Sequence, residues 1–128
     1  MIINKRGIID DLVEEAKDVL GIYKPEIAVV ADTKYVYDVR ISLDIKKPTP
    51  PHLIALSYDK DAGYFVDIDS VTWEFQDNDK LFQSEVIRLL KAIRNNKVKI
   101  IRKRFLGIIT TGYEAYITEG YMVCEARY

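Results

Sequence analysis

Between Tyr35 and Ile45 the chain runs Tyr-Val-Tyr-Asp-Val-Arg-Ile-Ser-Leu-Asp-Ile, apolar or aromatic at every odd position and polar at all but one of the even ones. Side chains of a strand alternate between its two faces, so this segment is a strand with one buried and one wet face. That pattern belongs to antiparallel sheets covered on a single side. A chain built on it needs partner strands and apolar helices to lie over the buried face.

Both are present. From Ile8 to Leu20 the residues Ile8, Ile9, Leu12, Val13, Ala16, Val19 and Leu20 recur at three-to-four spacing, with Asp11, Glu14, Glu15, Lys17 and Asp18 opposite them. This predicts an amphipathic helix over 8–20, closed by Gly21. Leu81, Phe82, Val86, Leu89, Leu90 and Ile93 predict a second helix over 79–94. The short polar side chains of Gln76-Asp77-Asn78-Asp79 precede it as N-cap candidates, and Asn95-Asn96 suits a left-handed exit.

Strands are expected at 27–31, 53–59, 64–69, 71–75 and 97–105, then as a meander at 108–111, 113–118 and 121–127. Lys46-Lys47-Pro48-Thr49-Pro50-Pro51 cannot donate to a ladder and reads as a stiff loop. The expected fold is α+β: a mainly antiparallel sheet of about six to eight short strands, with both helices packed on one face. At 128 residues, 48% apolar and 30% charged, the chain has the length and composition of one globular domain spanning 1–128.

Several function classes are disfavoured. The longest apolar runs, such as Ile27-Ala28-Val29-Val30-Ala31, are far short of a membrane span, and Asp10 and Asp11 interrupt any signal-peptide core. One cysteine, Cys124, allows no internal disulfide and fits a reducing, cytoplasmic setting. Alternation groups it with Met122 and Ala126 as a buried thiol. One histidine, His52, follows two prolines in a loop and has no evident nucleophile beside it. Gly107 and Gly112 form no phosphate loop. No catalytic residue, metal site or cofactor is expected.

The formal charge of −1 conceals two blocks. Residues 59–79 carry seven acids against Lys60, net −6, and residues 80–104 carry nine bases against Glu85, net +8. In the acidic block, carboxylates stand among aromatics, and Tyr58, Asp59, Asp61, Tyr64, Asp67, Asp69, Trp73 and Glu74 are candidate contacts for a basic protein. Aromatic anchors with steering charges are the usual composition of such surfaces. Asp67 and Asp69 would also share one strand face about 7 Å apart, within reach of one cation. The closing carboxylates of a calcium loop are missing. In the basic block, Arg88, Lys91, Arg94, Lys97, Arg102 and Arg104 are the residues a nucleic-acid-binding alternative would use, although only Phe105 interleaves with them. The alternative is that the two blocks neutralise one another as solvated faces.

In general character, as a small α+β domain with a Tyr-rich sheet, split charge and no catalytic constellation, the chain is similar to bacterial immunity and inhibitor proteins that mask a toxin. The resemblance implies a protein partner, such as a basic toxin or nuclease, and assigns no residue. A non-enzymatic binding module is therefore the first expectation and a nucleic-acid binder the second.

Overall fold

The computed structural model describes residues 2–45, 52–69, 71–105, 109–117 and 123–127, with side chains described between Lys5 and Val98. Two helices, α1 (Ile2–Val19) and α2 (Asp79–Arg94), bracket a five-strand antiparallel meander. Its strands are β1 (Glu26–Asp32), β2 (Val36–Ser42), β3 (Leu53–Asp59), β4 (Gly63–Ile68) and β5 (Val71–Gln76), and their order in space is their order in sequence.

The alternation in β2 works as its sequence demands. Tyr37, Val39 and Ile41 are buried, and the register sets Val39 beside Leu56, Leu56 beside Val66, and Val66 beside Trp73. All four strands thus turn one face inward. Ile9, Leu12, Val13, Ala16 and Leu20 of α1 and Phe82, Val86, Leu89, Leu90 and Ile93 of α2 close over it. Tyr64 stacks on Phe82 with ring centroids 4.3 Å apart, and Phe75 meets the same ring edge-on at 5.5 Å. Burial on this scale, at about 25 cal/mol per Å² of apolar surface, is the main term holding the layers together.

The ends of α2 are those its sequence calls for. The Asn78 side-chain oxygen accepts the Leu81 N–H at 3.1 Å. Asn96 sits at φ 58°, which lets the Lys97 N–H return to the Ala92 carbonyl at 2.8 Å.

Three expectations are corrected. The main sheet holds five strands, not six to eight; β6 (Val98–Phe105), β7 (Ile109–Ile117) and β8 (Val123–Arg127) form a separate three-stranded antiparallel sheet, whose β8 approaches β5 without joining its ladder. The two segments expected at 108–111 and 113–118 are one strand, because Gly112 is paired on both sides, with Lys103 and with Arg127. Finally, α1 starts at Ile2 rather than near Ile8. Gly7 lowers the intrinsic helix preference there, but Lys5 and Arg6 tie the first turn to the sheet, and tertiary contact overrides propensity. The loop 46–51, Gly107, the turn at 119–120 and the Cys124 side chain lie outside what is described. Among the described residues no helix is long and apolar enough to cross a membrane.

Two glycines differ in what they tolerate. Gly63 has φ 92°, and a Cβ there would lie 2.2 Å from the backbone of Gln76, whereas a Cβ on Gly7 meets nothing within 4 Å. Gly63→Ala is expected to cost about 1–3 kcal/mol in urea denaturation. Gly7→Ala is expected to add about 1 kcal/mol, and a loss of stability there would show that the turn is held in a non-helical form.

Candidate functional site

Because both helices lie on one side of the sheet, the other side of β1 to β5 carries the residues of opposite parity. Cross-strand register assembles them into rows: Arg40, Ala55, Asp67 and Thr72 in one, and Asp38, Ser57, Phe65 and Glu74 in the next. Glu26 lies beside Ser42 on this face, and Asp59 lies beside Val36 and Gly63. The outer face of these rows therefore bears Glu26, Asp38, Asp59, Asp67 and Glu74 against Arg40. Half-buried Phe65 stands among them.

Asp38 is only partly compensated. One of its carboxylate oxygens is buried without a hydrogen-bond partner, and the other is 3.7 Å from the Arg40 guanidinium. Burial, assisted by the Asp67 charge and opposed by Arg40, pushes its carboxyl above the ordinary range. Asp67 accepts a hydrogen bond from the Thr72 hydroxyl. Among the described residues the rows of this face set Arg40 against five carboxylates, a condition under which a further cationic group is favoured.

The residues singled out in the sequence are divided by the fold. Asp67 and Glu74 lie on the outer face, with Asp59 at its end and Asp61 exposed on the β3–β4 turn, where its N–H donates to Asp59 at 2.8 Å. Tyr58, Tyr64 and Trp73 point the other way and are core residues, at 6%, 0% and 6% exposure. Strand parity is the reason: they occupy the buried register, so they cannot be surface anchors.

Asp69 falls outside β4 at φ 51° and accepts the N–H groups of His52 and Leu53, tying down the start of β3. It does not continue the strand alternation that would place it beside Asp67. Among the described residues no group of three or more His, Cys, Asp or Glu side chains is arranged to hold a metal ion. Asp38 was missed because it is twenty-nine positions from Asp67 in sequence; its even parity in the 35–45 alternation was the available signal.

The acids at the end of the block have a separate task. The Lys5 ammonium of α1 lies 2.5 Å from Asp79 and 3.1 Å from Asp77, and the Tyr64 and Tyr58 hydroxyls donate to these same carboxylates at 2.8 and 3.0 Å. Open depressions of about 830 Å³ and 500 Å³ flank this cluster and share Glu74, Gln76 and Asp77 in their linings. Hydrogen bonding to Lys5 holds both carboxyls below their ordinary value, and the bond to Asp79 chiefly raises Lys5. Burial first, then the carboxylates, raises Tyr64 and Tyr58; Tyr37, which donates to Asp10, is likewise pushed up to about 12.

The basic block lies on α2 and beyond it. Arg88 pairs with Glu85 at 3.2 Å, and Arg94 donates to the Val19 carbonyl at 3.0 Å. Arg88, Lys91 and Lys97 line a depression of about 490 Å³ with Ser84 and Asn95. Arg102 and Arg104 lie on β6, with a register shift between Lys103 and Arg104, and their side chains are outside what is described. Asp77 and Asp79 take their cation from α1 rather than from α2. The chain matches no protein-family model, no curated protein and no solved structure.

The Lys5 cluster makes stability depend on pH at both extremes. Asp77 and Asp79 ionise more readily folded than unfolded, so they stabilise above the ordinary value of 3.8, and the contribution disappears as pH falls through their lower folded values. Lys5 and the tyrosines, raised on folding, contribute below 10.5 and 10.0 and lose this as pH rises through the folded values. The melting temperature should be nearly level between about pH 5 and 9 and fall on either side. Lys5→Met should lower the plateau and flatten the acid limb, and an unchanged acid limb would remove Lys5 from this role.

Proposed function

We propose that the chain is a cytoplasmic, non-enzymatic protein-binding module of immunity or inhibitor type, docking a basic partner protein on the outer sheet face. One observation carries this reading: five carboxylates face Arg40 on the side of the sheet that neither helix covers. A cationic partner would relieve the mutual repulsion of Asp38 and Asp67, and a flat sheet with half-buried Phe65 offers contact area between the charges. The partner class is a basic protein of the toxin or nuclease kind, for which an acidic surface mimics a polyanion.

The depression beside Arg88, Lys91 and Lys97 favours the second reading, nucleic-acid binding, and one experiment separates the two. The chain and an Asp67→Lys/Glu74→Lys variant are used to capture proteins from a lysate at low and high salt, and both are titrated with mixed oligonucleotides. The expected result is capture of a basic protein by the parent chain and its loss in the variant. Association with that protein should slow by about tenfold or more at low salt in the variant. Capture indifferent to the reversal overturns the proposed face. Oligonucleotide binding that falls steeply with salt and is abolished by Arg88→Glu/Lys91→Glu establishes the second reading instead.

A further inference from the structure

Lys5 near the start of α1 pairs with Asp79 at the start of α2, and Arg94 at the end of α2 donates to the Val19 carbonyl at the end of α1 at 3.0 Å. The two helices therefore run parallel with their ends level. Each turns its apolar residues to the sheet, so each turns a polar ridge away from it. On α1 that ridge is Asp11, Glu14 and Asp18, all exposed, with half-buried Glu15 on its flank. On α2 it is Ser84, Arg88, Lys91 and Asn95, exposed except for half-buried Arg88, with exposed Lys80 one turn before them. Residues 10–18 carry five acids against Lys17, net −4, and residues 80–94 carry four bases against Glu85, net +3. The two ridges do not neutralise each other. Lys17 pairs with Glu14 and Arg88 with Glu85, each within its own helix. Among the described residues no ion pair joins the acidic ridge to the basic one, and Asp11, Glu15, Asp18, Lys80 and Lys91 have no ion-pair partner.

We infer that this helix layer docks on the helix layer of a second copy of the chain, about a two-fold axis that lies between the copies and runs along the helices. Such an axis lays α1 of each copy over α2 of the other, so acid meets base twice. A two-fold axis across the helices would lay α1 on α1 and α2 on α2, like charge on like, which is disfavoured. An axis along the helices also preserves height. With Lys5 level with Asp79 and Val19 with Arg94, Asp11 of one copy comes over Ser84 of the other, Glu14 and Glu15 over Arg88, and Asp18 between Lys91 and Arg94. At about 1.5 Å rise per residue and about 10 Å width, helices of 18 and 16 residues offer a face of about 500 Å² per copy. A total of about 1,000 Å², mostly polar, belongs to weak and salt-sensitive association. The pairing leaves the acidic sheet face of each copy open, on opposite sides of the pair.

Sedimentation of the full chain from about 10 µM to about 1 mM tests this, with a dissociation constant of about 100 µM expected at about 20 mM salt. At about 0.5 M salt, where charges are screened beyond about 4 Å, association should weaken by about tenfold or more. Asp11→Lys/Asp18→Lys and Lys80→Glu/Lys91→Glu should each be monomeric alone while keeping the parent's circular dichroism. Mixed, the two variants should form a one-to-one pair, because each helix then faces its opposite charge again. In a Cys124→Ala background, an Asp11→Cys chain should cross-link under mild oxidation to a Ser84→Cys chain in preference to itself. A monomer at every concentration in low salt overturns the inference. So does association that ignores salt or survives either reversal, and so does a failure of the two variants to pair. Self-cross-linking of Asp11→Cys in preference to the mixed product overturns the axis. None of these results bears on the acidic sheet face, which lies on the other side of the sheet and is tested with different residues.

Discussion

The covering of one sheet face by both helices is the constraint from which the rest of the molecule follows. β2 to β5 place their apolar and aromatic side chains to one side, where α1 and α2 remove them from water. Among the described residues neither helix lies on the opposite side, and five carboxylates collect there around Ala55 and Phe65. A parallel arrangement, with helices on both faces, would have left no room for such a surface. The acidic face is a consequence of how the core is built.

The polar cluster at Lys5 is the electrostatic counterpart of that packing. Buried aromatics with hydroxyl groups must place those groups on partners. Tyr58 and Tyr64 do so on Asp77 and Asp79 at the start of α2, and Lys5 compensates the two carboxylates. One ammonium thereby joins the first turn of α1, the central hairpin and the entry to α2. This explains why the helix extends through Gly7, and why two acids of the acidic block serve the fold and not the surface.

Much of the fold was legible in advance. The second helix matches its expected span of 79–94, and the strand at 53–59 matches as well, because periodicity and capping act locally. The division of strands between two sheets was not legible, since nothing local in β6 to β8 specifies which edge they join. The candidate surface was half legible. Asp67 and Glu74 lie where a charged face needs them, but grouping by sequence proximity mixed them with Tyr58, Tyr64 and Trp73, which strand parity sends inward.

The sequence by itself determined the elements, their buried faces and the uneven charge, because alternation, helical spacing and cap chemistry depend on neighbours a few positions apart. Only the tertiary structure decided which acids stand together. Asp38 and Asp67 meet through the register of β2, β3 and β4, and Lys5 meets Asp79 across 74 positions of chain. Contacts of that kind are set by strand pairing and layer packing, so the two opposed charge blocks of the sequence became an acidic sheet face on one side and a basic helix on the other.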